Sequence, residues 1–375
     1  MPIPETRRRV HFEGTAFVLH RWSGISRYFT ELIAAFDADP GLGVEPVTPY
    51  RFVTNKHLSA SRRGVYGLPL PRSRRRPVLD RLNRRYERRA DLAGAVTHYP
   101  LYEPHLLDAA RAAPSVTTVY DFTMEAHPEL FGDVSTHLRL KREYLEACEV
   151  LVCISEATRD DLHRFHPDLD KPVIVTPLAV SDDFQRPGAR RPRGLPPRYL
   201  LHVGNRAEHK NVELVFEAFG RLSATDPDLH LVLSGQGLPG EVERIAELGI
   251  ADRTKIVRLS DRALPAAYRH AQAFVFPSRY EGFGLPLLEA MTAGCPALIS
   301  DNPALLEVAG DTAEVVGVDD VDGAVAALER LIGDPQLAQR RREAGQRRAR
   351  EFTWHRTAGG TVPAYDQAAR LHAAI

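Results

Sequence analysis

The amino-acid sequence predicts an α/β protein built from two doubly wound domains. The first observation is its length, since 375 residues suit two domains of about 150 to 190 residues that each bury their own core. The second is an alternation of short apolar runs with amphipathic helical segments in both halves, which is typical of βαβ units around parallel sheets. The third is a stretch rich in proline, glycine and arginine between the halves, at residues 185–197.

That stretch locates the domain boundary. Its composition cannot build the core of a strand or a helix, so we place the boundary near Arg186 to Pro197. We expect an amino-terminal domain over residues 1–187 and a carboxyl-terminal domain over residues 188–358. A final helical segment, residues 359–375, is expected to pack back on the amino-terminal domain.

In the first half, the apolar and β-branched runs predict three strands, and the amphipathic segments predict helices between or before them. The strands are SVTTVYDF (115–122), EVLVCI (149–154) and PVIVTPLAV (172–180). The helices are GISRYFTELIAAF (24–36) and SEATRDDLHRF (155–165), the second with Ser155 and Thr158 where a helix N-cap is expected.

The second half repeats this alternation more regularly. Its strands are RYLLHVG (198–204), LHLVLSG (229–235), KIVRLS (255–260), AFVFPS (273–278) and PALIS (296–300). Its helices are NVELVFEAFGRL (211–222), GEVERIAELG (240–249), LPAAYRHA (264–271) and LPLLEAMTAG (285–294). Strands and helices in this order predict a doubly wound parallel sheet.

Composition argues against several classes of protein. Lysine plus arginine equals aspartate plus glutamate at 49 each, so the basic excess that nucleic-acid binding usually requires is missing. The three cysteines form no CxxC pair, which indicates neither a disulfide framework nor a zinc site. The first residues lack an apolar signal region, and no run approaches 18 apolar residues. We therefore expect a cytoplasmic protein.

Aspartate pairs of the form Asp-x-Asp raise the question of a metal. The pairs are Asp37/Asp39, Asp168/Asp170, Asp226/Asp228 and Asp320/Asp322. All lie in turn-like contexts flanked by proline or glycine, where aspartate is common for its own reasons. We expect neither a metal ion nor another cofactor.

A GxGxxG match at Gly235, Gly237 and Gly240 has the form of a dinucleotide-binding fingerprint. That function would require the preceding strand to be the first of its unit, whereas another strand and helix come before it. We interpret the match as a tight turn between strand and helix, with a nicotinamide or flavin enzyme as the alternative.

Two cations, Arg206 and Lys210, follow the first strand of the second half. In doubly wound folds ligands bind beyond the carboxyl ends of the strands, where two cations can neutralise a departing diphosphate. The alternative is a pair of ordinary surface cations at the start of a helix.

Two carboxylates, Glu281 and Glu289, lie in a glycine-containing loop and in the helix that follows. Eight residues of helix rise about 12 Å, too far for two carboxylates that act across one bond. We expect them to contact different parts of one ligand. Gly282 and Gly284 between them let the backbone approach it, and free amides at the helix start favour phosphate or sugar oxygens. The alternative is a capped surface helix.

The segment SRYEGFGLPLLEAMTAGCPALISDNPALLEVAGDTA resembles the glutamate-x7-glutamate signature of retaining glycosyltransferase family four. HVGNRAEHKNVELVFEAF resembles the opening of that family's donor domain, VCISEATRDDL the end of its first domain, and RWSGISRYFTEL its amino-terminal glycine loop. The resemblance implies the GT-B fold, in which two Rossmann-like domains face each other across a cleft. It also implies a metal-independent, retaining transfer of a sugar from a nucleotide diphosphate to an acceptor hydroxyl.

The resemblance assigns roles by position. Arg206, Lys210 and Glu281 are implied as catalytic residues, with the two cations on the diphosphate and the carboxylate on hydroxyls of the transferred sugar. Glu289 is implied to bind the ribose. The remaining donor-binding residues are Gly24, Gly204, Asn205, Gly282, Phe283, Gly284 and Leu285. Reaction by front-face attack would need no protein nucleophile, only positioning and electrostatic stabilisation.

Two positions depart from the family pattern. Ser23 precedes Gly24 where relatives commonly have two glycines, and Tyr120 with Asp121 stands where relatives often have His-Asp. His98 also matches a histidine of the family's first domain. We place Tyr120, Asp121 and His98 on the acceptor side, with a structural role as the alternative for the histidine.

Similarity to bacterial polysaccharide transferases makes mannose from GDP-mannose the first expectation for the donor. A UDP-hexose or a dTDP-deoxysugar is the alternative, because backbone and apolar contacts usually hold the base. A silent scaffold and a nucleotide-sugar epimerase of the same fold are the other functions considered. The acceptor is expected to be a glycan, a lipid-linked molecule or a small molecule. The oligomeric state stays open.

An arginine-rich segment, Ser61 to Ala90, contains eleven arginines against only Asp80 and Glu87. One interpretation is a solvated helix with a mobile loop. The other is a mobile acceptor-side element that attracts a lipid-diphosphate carrier at the inner face of the membrane, or a soluble anionic acceptor. The arginines first selected for a test of this hypothesis are Arg72, Arg74, Arg75 and Arg76.

Overall fold

The computed structural model describes residues 7–186 and 190–374, and they form two compact units. Of these residues, the first unit contains 7–125, 132–178 and 354–374, and the second contains 126–131, 179–186 and 190–353. The chain thus passes from the first unit to the second after Leu178. The boundary expected between residues 187 and 188 lies outside the described residues.

The first unit is built on a six-stranded sheet in which every neighbouring pair is parallel, in the order β2-β1-β5-β6-β7-β8. A short parallel pair, β3 and β4, stands apart from it. The strands are β1 Arg8–Phe12, β2 Val44–Val47, β3 Phe52–Val53, β4 Tyr66–Gly67, β5 Val96–Tyr99, β6 Ser115–Val119, β7 Val150–Cys153 and β8 Val173–Val175.

Helices follow or precede these strands, as expected for a parallel sheet covered on its faces. They are α1 Thr15–Leu19, α2 Gly24–Ala38, α3 Lys56–Ser61, α4 Arg75–Glu87, α5 Leu107–Ala112, α6 Thr123–Ala126, α7 Ser135–Ala147 and α8 Glu156–Phe165. Ser155 caps α8 as predicted, because its side chain accepts a hydrogen bond from the Thr158 amide. Ser23 caps α2 in the same way through the Ser26 amide.

The second unit contains another six-stranded parallel sheet, in the order β11-β10-β9-β12-β13-β14. Its strands are β9 Tyr199–His202, β10 His230–Ser234, β11 Thr254–Val257, β12 Ala273–Phe276, β13 Ala297–Ser300 and β14 Glu314–Val316. Numbered within the unit, this order is 3-2-1-4-5-6, the arrangement of doubly wound nucleotide-binding sheets. The strand order therefore reverses between β9 and β12.

Seven helices of the described residues connect these strands and continue past them: α9 Val212–Thr225, α10 Glu241–Glu247, α11 Leu264–His270, α12 Leu285–Ala293, α13 Pro303–Ala309, α14 Val321–Gly333 and α15 Pro335–Ala349. Buried side chains of β9, β10 and β12 pack with α9 and α14 in one apolar core. The prediction of two doubly wound α/β domains is thus confirmed.

The last helix, α16 Trp354–His372, belongs to the first unit, where it packs against α2 and strands β6 to β8. Over the described residues 7–186 and 190–374, no helix combines the length and the apolar character that a membrane span requires.

A buried hydrogen bond fastens α16 to the first sheet. The hydroxyl of Tyr365 lies 2.9 Å from Nδ1 of His98 on β5, and both side chains are fully buried. Nε2 of the same histidine lies 2.8 Å from the Thr118 hydroxyl. Burial lowers the pKa of His98 to about 3, so the ring is neutral at pH 7.

We expect Tyr365→Phe to lower the free energy of unfolding of the first unit by about 1 to 3 kcal/mol, because one buried nitrogen of His98 loses its partner. The measurement is the midpoint of urea unfolding. Asp366→Asn is the matched control, since Asp366 pairs with Arg8 at 3.3 Å on the exposed side of the same helix. An exposed pair contributes about 1 kcal/mol or less, so equal effects of the two changes would contradict the prediction.

Candidate functional site

The candidate site of the second unit lies where the strand order reverses, beyond the carboxyl ends of β9 and β12. The loop after β9 contains the predicted cations, and the loop after β12 contains Glu281. The amide of Arg279 donates a 2.8 Å hydrogen bond to the carbonyl of His209 and so joins the two loops. In open α/β sheets this reversal point is where ligands bind.

Lys210 and Glu281 meet at this point. Nζ of Lys210 lies 2.7 Å from Oε1 of Glu281, and both side chains are largely but not completely buried. Lys210 ends a short 3-10 turn, after which Asn211 adopts a left-handed conformation with φ of 55° before α9 begins. Two residues predicted from separate segments are thereby brought into one ion pair.

The guanidinium of Arg206 is enclosed and paired. Its Nε and Nη2 donate to the two carboxylate oxygens of Glu241, the second at 3.1 Å. Nη1 donates to the Ser234 carbonyl at 2.7 Å, and Nη2 also donates to the Gln236 carbonyl at 2.5 Å. Only 2% of the side chain is exposed. In this conformation Arg206 stabilises the loops, and its contact with a diphosphate stays a prediction.

The GxGxxG turn surrounds that guanidinium. Gly235 has a φ of 126°, and a Cβ atom there would lie 3.1 Å from Nη1 of Arg206. Gly240, with φ of 77°, precedes α10 and thereby brings Glu241 under the turn. The turn follows the second strand of its unit, and its glycines serve a protein side chain. The interpretation as a tight strand-to-helix turn therefore agrees with its position.

The loop between Glu281 and α12 combines buried side chains with backbone amides at a helix start. Gly284 has a φ of 100°, a conformation that strains other residues, and a Cβ atom there would come within 2.5 Å of the Leu305 side chain, so backbone conformation and packing both favour glycine. The Phe283 ring is buried, with its centroid 5.9 Å from that of Phe352. Leu285 is the first residue of α12. Any ligand contact by this loop must therefore use the backbone.

Glu289 lies about one turn into α12 and is buried there. Its Oε2 accepts a 3.1 Å hydrogen bond from the hydroxyl of Tyr268 on α11. Burial and the neighbouring carboxylate raise the pKa of Tyr268 well above its ordinary value, so the phenol stays protonated and donates. The structure thus places Glu281 and Glu289 in different hydrogen-bond environments.

Three neighbours of the site were not predicted from the sequence. Glu241 and Tyr268 are the partners just described, and His202 ends β9. Nδ1 of His202 donates to the Val275 carbonyl at 2.9 Å, and burial lowers its pKa to about 4. Beyond that strand, Gly204 and Asn205 are exposed, and Gly204 has a φ of 132°. Of these three residues, only His202 could have been suspected from the sequence, because a histidine interrupts an otherwise apolar strand there.

In the first unit, Tyr120 and Asp121 line a cavity of about 350 Å³ beyond the carboxyl ends of β5 and β6. Lys141 also lines it, although its Nζ donates to Glu125 at 2.6 Å and to the Asp121 carbonyl at 2.8 Å. The same cavity is lined by Glu103. Carboxylates and aromatic side chains together suit the hydroxyls and ring faces of a sugar.

The other two residues predicted in the first unit lie elsewhere. His98 is completely buried with both ring nitrogens in hydrogen bonds, which is the environment of the structural alternative. Gly24 begins α2 and is exposed, and a Cβ atom there would meet no other atom within 4 Å. Packing within the described part of the chain therefore does not explain this glycine.

Comparison with known proteins places the site in a family context. Residues 188–348 match the family model described as glycosyl transferases group 1. The chain is 28% identical to O-antigen chain mannosyltransferase B of Escherichia coli, over 92% of this chain and 96% of the relative. It is 32% identical to D-inositol 3-phosphate glycosyltransferase of Salinispora arenicola, over 75% of this chain and 71% of the relative.

Among solved structures, sucrose-phosphate synthase from Thermosynechococcus elongatus matches with a TM-score of 0.72 and 20% identity. The match covers 98% of this chain and 100% of that chain. At this identity the likeness concerns the fold, and it identifies the fold as GT-B.

We expect Glu241→Ala to lower the free energy of unfolding of the second unit by about 3 to 5 kcal/mol, because it leaves the buried Arg206 charge without its carboxylate. Glu243→Ala is the matched control, since Glu243 is exposed on the same helix and its loss should change stability by about 0.5 kcal/mol or less. Urea unfolding measures both. Similar values for the two variants would contradict the buried pair.

Proposed function

The chain belongs to the family of group 1 glycosyl transferases, and on that premise we propose that it transfers mannose from GDP-mannose to an acceptor hydroxyl with retention of anomeric configuration. The family and the named relatives support sugar transfer. The observation that carries the proposal for this site is the Lys210–Glu281 pair at the reversal point of the second sheet.

The ion pair suits a nucleotide sugar because it offers both charges that such a ligand needs. Lys210 supplies a cation for the diphosphate, and Glu281 supplies an acceptor for sugar hydroxyls. At 2.7 Å each side chain neutralises the other until a ligand divides them. We propose that donor binding redirects Nζ of Lys210 toward a phosphate oxygen while Glu281 turns to the sugar.

Glu289 suits the nucleoside end of the same donor. It is buried on α12, and one of its carboxylate oxygens accepts a hydrogen bond from Tyr268. A carboxylate held in this way is a preorganised acceptor for a pair of ribose hydroxyls. Backbone amides of Gly282 and Phe283 complete the proposed donor site.

Arg206 is assigned a supporting role in this proposal. Its guanidinium is fixed by Glu241 and two carbonyls, and it lies four residues before Lys210. Its contact with the donor diphosphate remains part of the proposal, and that contact would require one of its N–H groups to exchange a present partner for a phosphate oxygen. The resemblance-based assignment of Gly24 to the donor, and of Tyr120 and Asp121 to the acceptor, is kept as part of the proposal.

The proposed reaction is a front-face substitution. The acceptor oxygen bonds to the anomeric carbon as the bond to the diphosphate breaks on the same face. The acceptor's proton passes to a phosphate oxygen of the leaving nucleotide, so the products are a glycoside and a nucleoside diphosphate. The chain's own contribution is to orient the donor and to stabilise the charge that the diphosphate gains.

Free-nucleotide calorimetry should separate the two carboxylates. Glu289→Ala is expected to weaken binding of GDP by about 1 to 3 kcal/mol, because a buried ribose hydroxyl loses its acceptor. Glu281→Ala is expected to leave GDP affinity nearly unchanged and to lower kcat with the sugar nucleotide.

Tyr268→Phe is the control for indirect effects at Glu289, since it removes the 3.1 Å hydrogen bond but keeps the carboxylate. Its GDP affinity should fall by less than that of Glu289→Ala, because the carboxylate that accepts from the ribose remains while only the bond that orients it is lost. Equal losses of GDP binding in the two glutamate variants would refute the assignment.

A panel of nucleotide sugars, incubated with an acceptor in the presence of EDTA, tests the function as a whole. Release of GDP from GDP-mannose is expected without added metal, because Lys210 and the backbone amides perform the electrostatic work of a cation. Activity that disappears in EDTA and returns with magnesium or manganese would refute metal independence. Turnover of a UDP-hexose or a dTDP-deoxysugar in place of GDP-mannose would show that the proposed donor is wrong. No turnover of any nucleotide sugar would favour a catalytically silent scaffold.

A further inference from the structure

Part of the arginine-rich segment of the first unit, residues 75–87, forms helix α4, which is hydrogen-bonded to the rest of the unit. In α4, Leu79 and Asn83 are buried. The Asn83 side chain accepts hydrogen bonds from the amides of Arg51 and Phe52 at 2.9 Å and donates to the Phe52 carbonyl at 2.8 Å. These bonds attach the helix to the β3–β4 pair, so residues 75–87 of the arginine-rich segment are held on the first unit and do not form a loop.

The opposite side of this helix presents a row of exposed arginines. Arg81, Arg85 and Arg88 succeed one another at intervals of four and three residues, which places them on one side of the helix. Arg72 and Arg84 are exposed as well, but they project from other sides of the segment. We call the exposed arginines on or next to the side of Arg81, Arg85 and Arg88 the arginine face. It consists of Arg74, Arg81, Arg85, Arg88 and Arg89. Within the residues that the structure describes, none of the five forms an ion pair with a carboxylate.

Apolar side chains border the arginine face. Leu82 is 39% exposed and Tyr86 is 38% exposed on the same helix, and Tyr66 of β4 is 60% exposed. The rings of Tyr66 and Tyr86 both lie against Phe52, with centroids 5.9 and 6.4 Å from it. Leucine and tyrosine among arginines is the pattern of a helix that lies in a membrane interface. A small inorganic anion would leave these apolar groups in water, whereas a bilayer interface would cover them.

The amino-terminal end of α4 is anchored at the cavity lined by Tyr120 and Asp121. Nη1 of Arg75 donates to the Leu19 carbonyl at 2.8 Å, and Nη2 of Arg76 donates to Glu103 at 2.9 Å. Leu19 and Glu103 both line that cavity. Two of the four arginines first selected for a test, Arg75 and Arg76, are thus bound within the fold. The remaining exposed arginines extend away from the cavity rim along the helix.

We propose that the arginine face, with Leu82 and Tyr86, binds the anionic surface of a lipid bilayer. This proposal rests on the proposed function in one respect, because it makes the acceptor a lipid-linked molecule whose sugar reaches the cavity from the membrane. Arginine suits this contact, since its guanidinium binds phosphate bidentately and its stem packs on apolar surface.

Flotation of the full-length protein with lipid vesicles tests the contact directly. The parent is expected to bind vesicles of phosphatidylcholine with about one third phosphatidylglycerol, and to bind pure phosphatidylcholine much more weakly. A variant with Arg81, Arg85, Arg88 and Arg89 changed to glutamine should lose affinity by about fivefold for each arginine, roughly two to three orders of magnitude in all. Raising salt should release the parent steeply.

The matched control changes four exposed arginines outside the arginine face to glutamine: Arg139, Arg193, Arg347 and Arg370. It has the same net charge as the test variant. If the control loses vesicle affinity to the same extent, net charge alone governs binding and the proposal is overturned. It is also overturned if the parent binds anionic and neutral vesicles equally.

Nucleotide binding distinguishes failure of this proposal from failure of the proposed function. The arginine-face variant should bind GDP like the parent and should hydrolyse the donor at the parent's rate, while its KM for a lipid-linked acceptor in vesicles rises. The membrane proposal fails if the parent does not bind vesicles and the arginine-face variant has a higher KM than the parent for a water-soluble anionic acceptor. In that case the segment recruits a soluble acceptor, and the proposed sugar transfer is unaffected.

Discussion

The site of the second unit depends on one interaction, the buried ion pair between Arg206 and Glu241. A charge removed from water must be compensated, and Glu241 provides the compensation together with the carbonyls of Ser234 at the end of β10 and Gln236 in the turn after it. These bonds tie the loop after β9 to the turn after β10. The Arg279 amide ties the same loop to the one after β12. Lys210 and Glu281 therefore meet because backbone and buried charge fix both loops before any ligand arrives.

Much of the fold was predictable because the second sheet is buried on both faces. Runs such as AFVF at β12 and ALI at β13 are apolar without interruption, and such runs indicate parallel strands. Strand β1 begins with two arginines, and β2 contains Pro46, so neither has a strand-like pattern. The partnership of Arg206 with Glu241 spans 35 residues, a separation that no local spacing rule covers. The sequence predicted which loops contribute to the site, but it did not predict which loop side chains are bonded to other residues of the protein.

The cavity and the arginine face of the first unit differ in their charged groups. Its cavity is lined by Glu103, Asp121 and Glu125, and the one lysine there is paired. Burial keeps nearby histidines neutral, since it lowers the pKa values of both His20 and His137. Arginines, by contrast, occupy the exposed side of α4. Acidic and aromatic surroundings suit neutral hydroxyls, whereas an exposed row of guanidinium groups suits phosphates, so one unit offers two chemically distinct surfaces.

The course of the chain has a consequence for how such proteins diversify. Apart from residues 126–131, the second unit is one continuous stretch from Ala179 to Thr353, and α16 then completes the first unit. The second unit is thus an insertion between β8 and the last helix of its host. Recombination that exchanged only the second unit would need two crossovers, one on each side of it. A single crossover before the second unit would also replace α16, which would then pack on β6 and β7 of a different first unit. Tyr365 of α16 would then have to match the His98 of another lineage. Inheritance of the first unit is thereby coupled to a segment that the second unit separates from it along the chain.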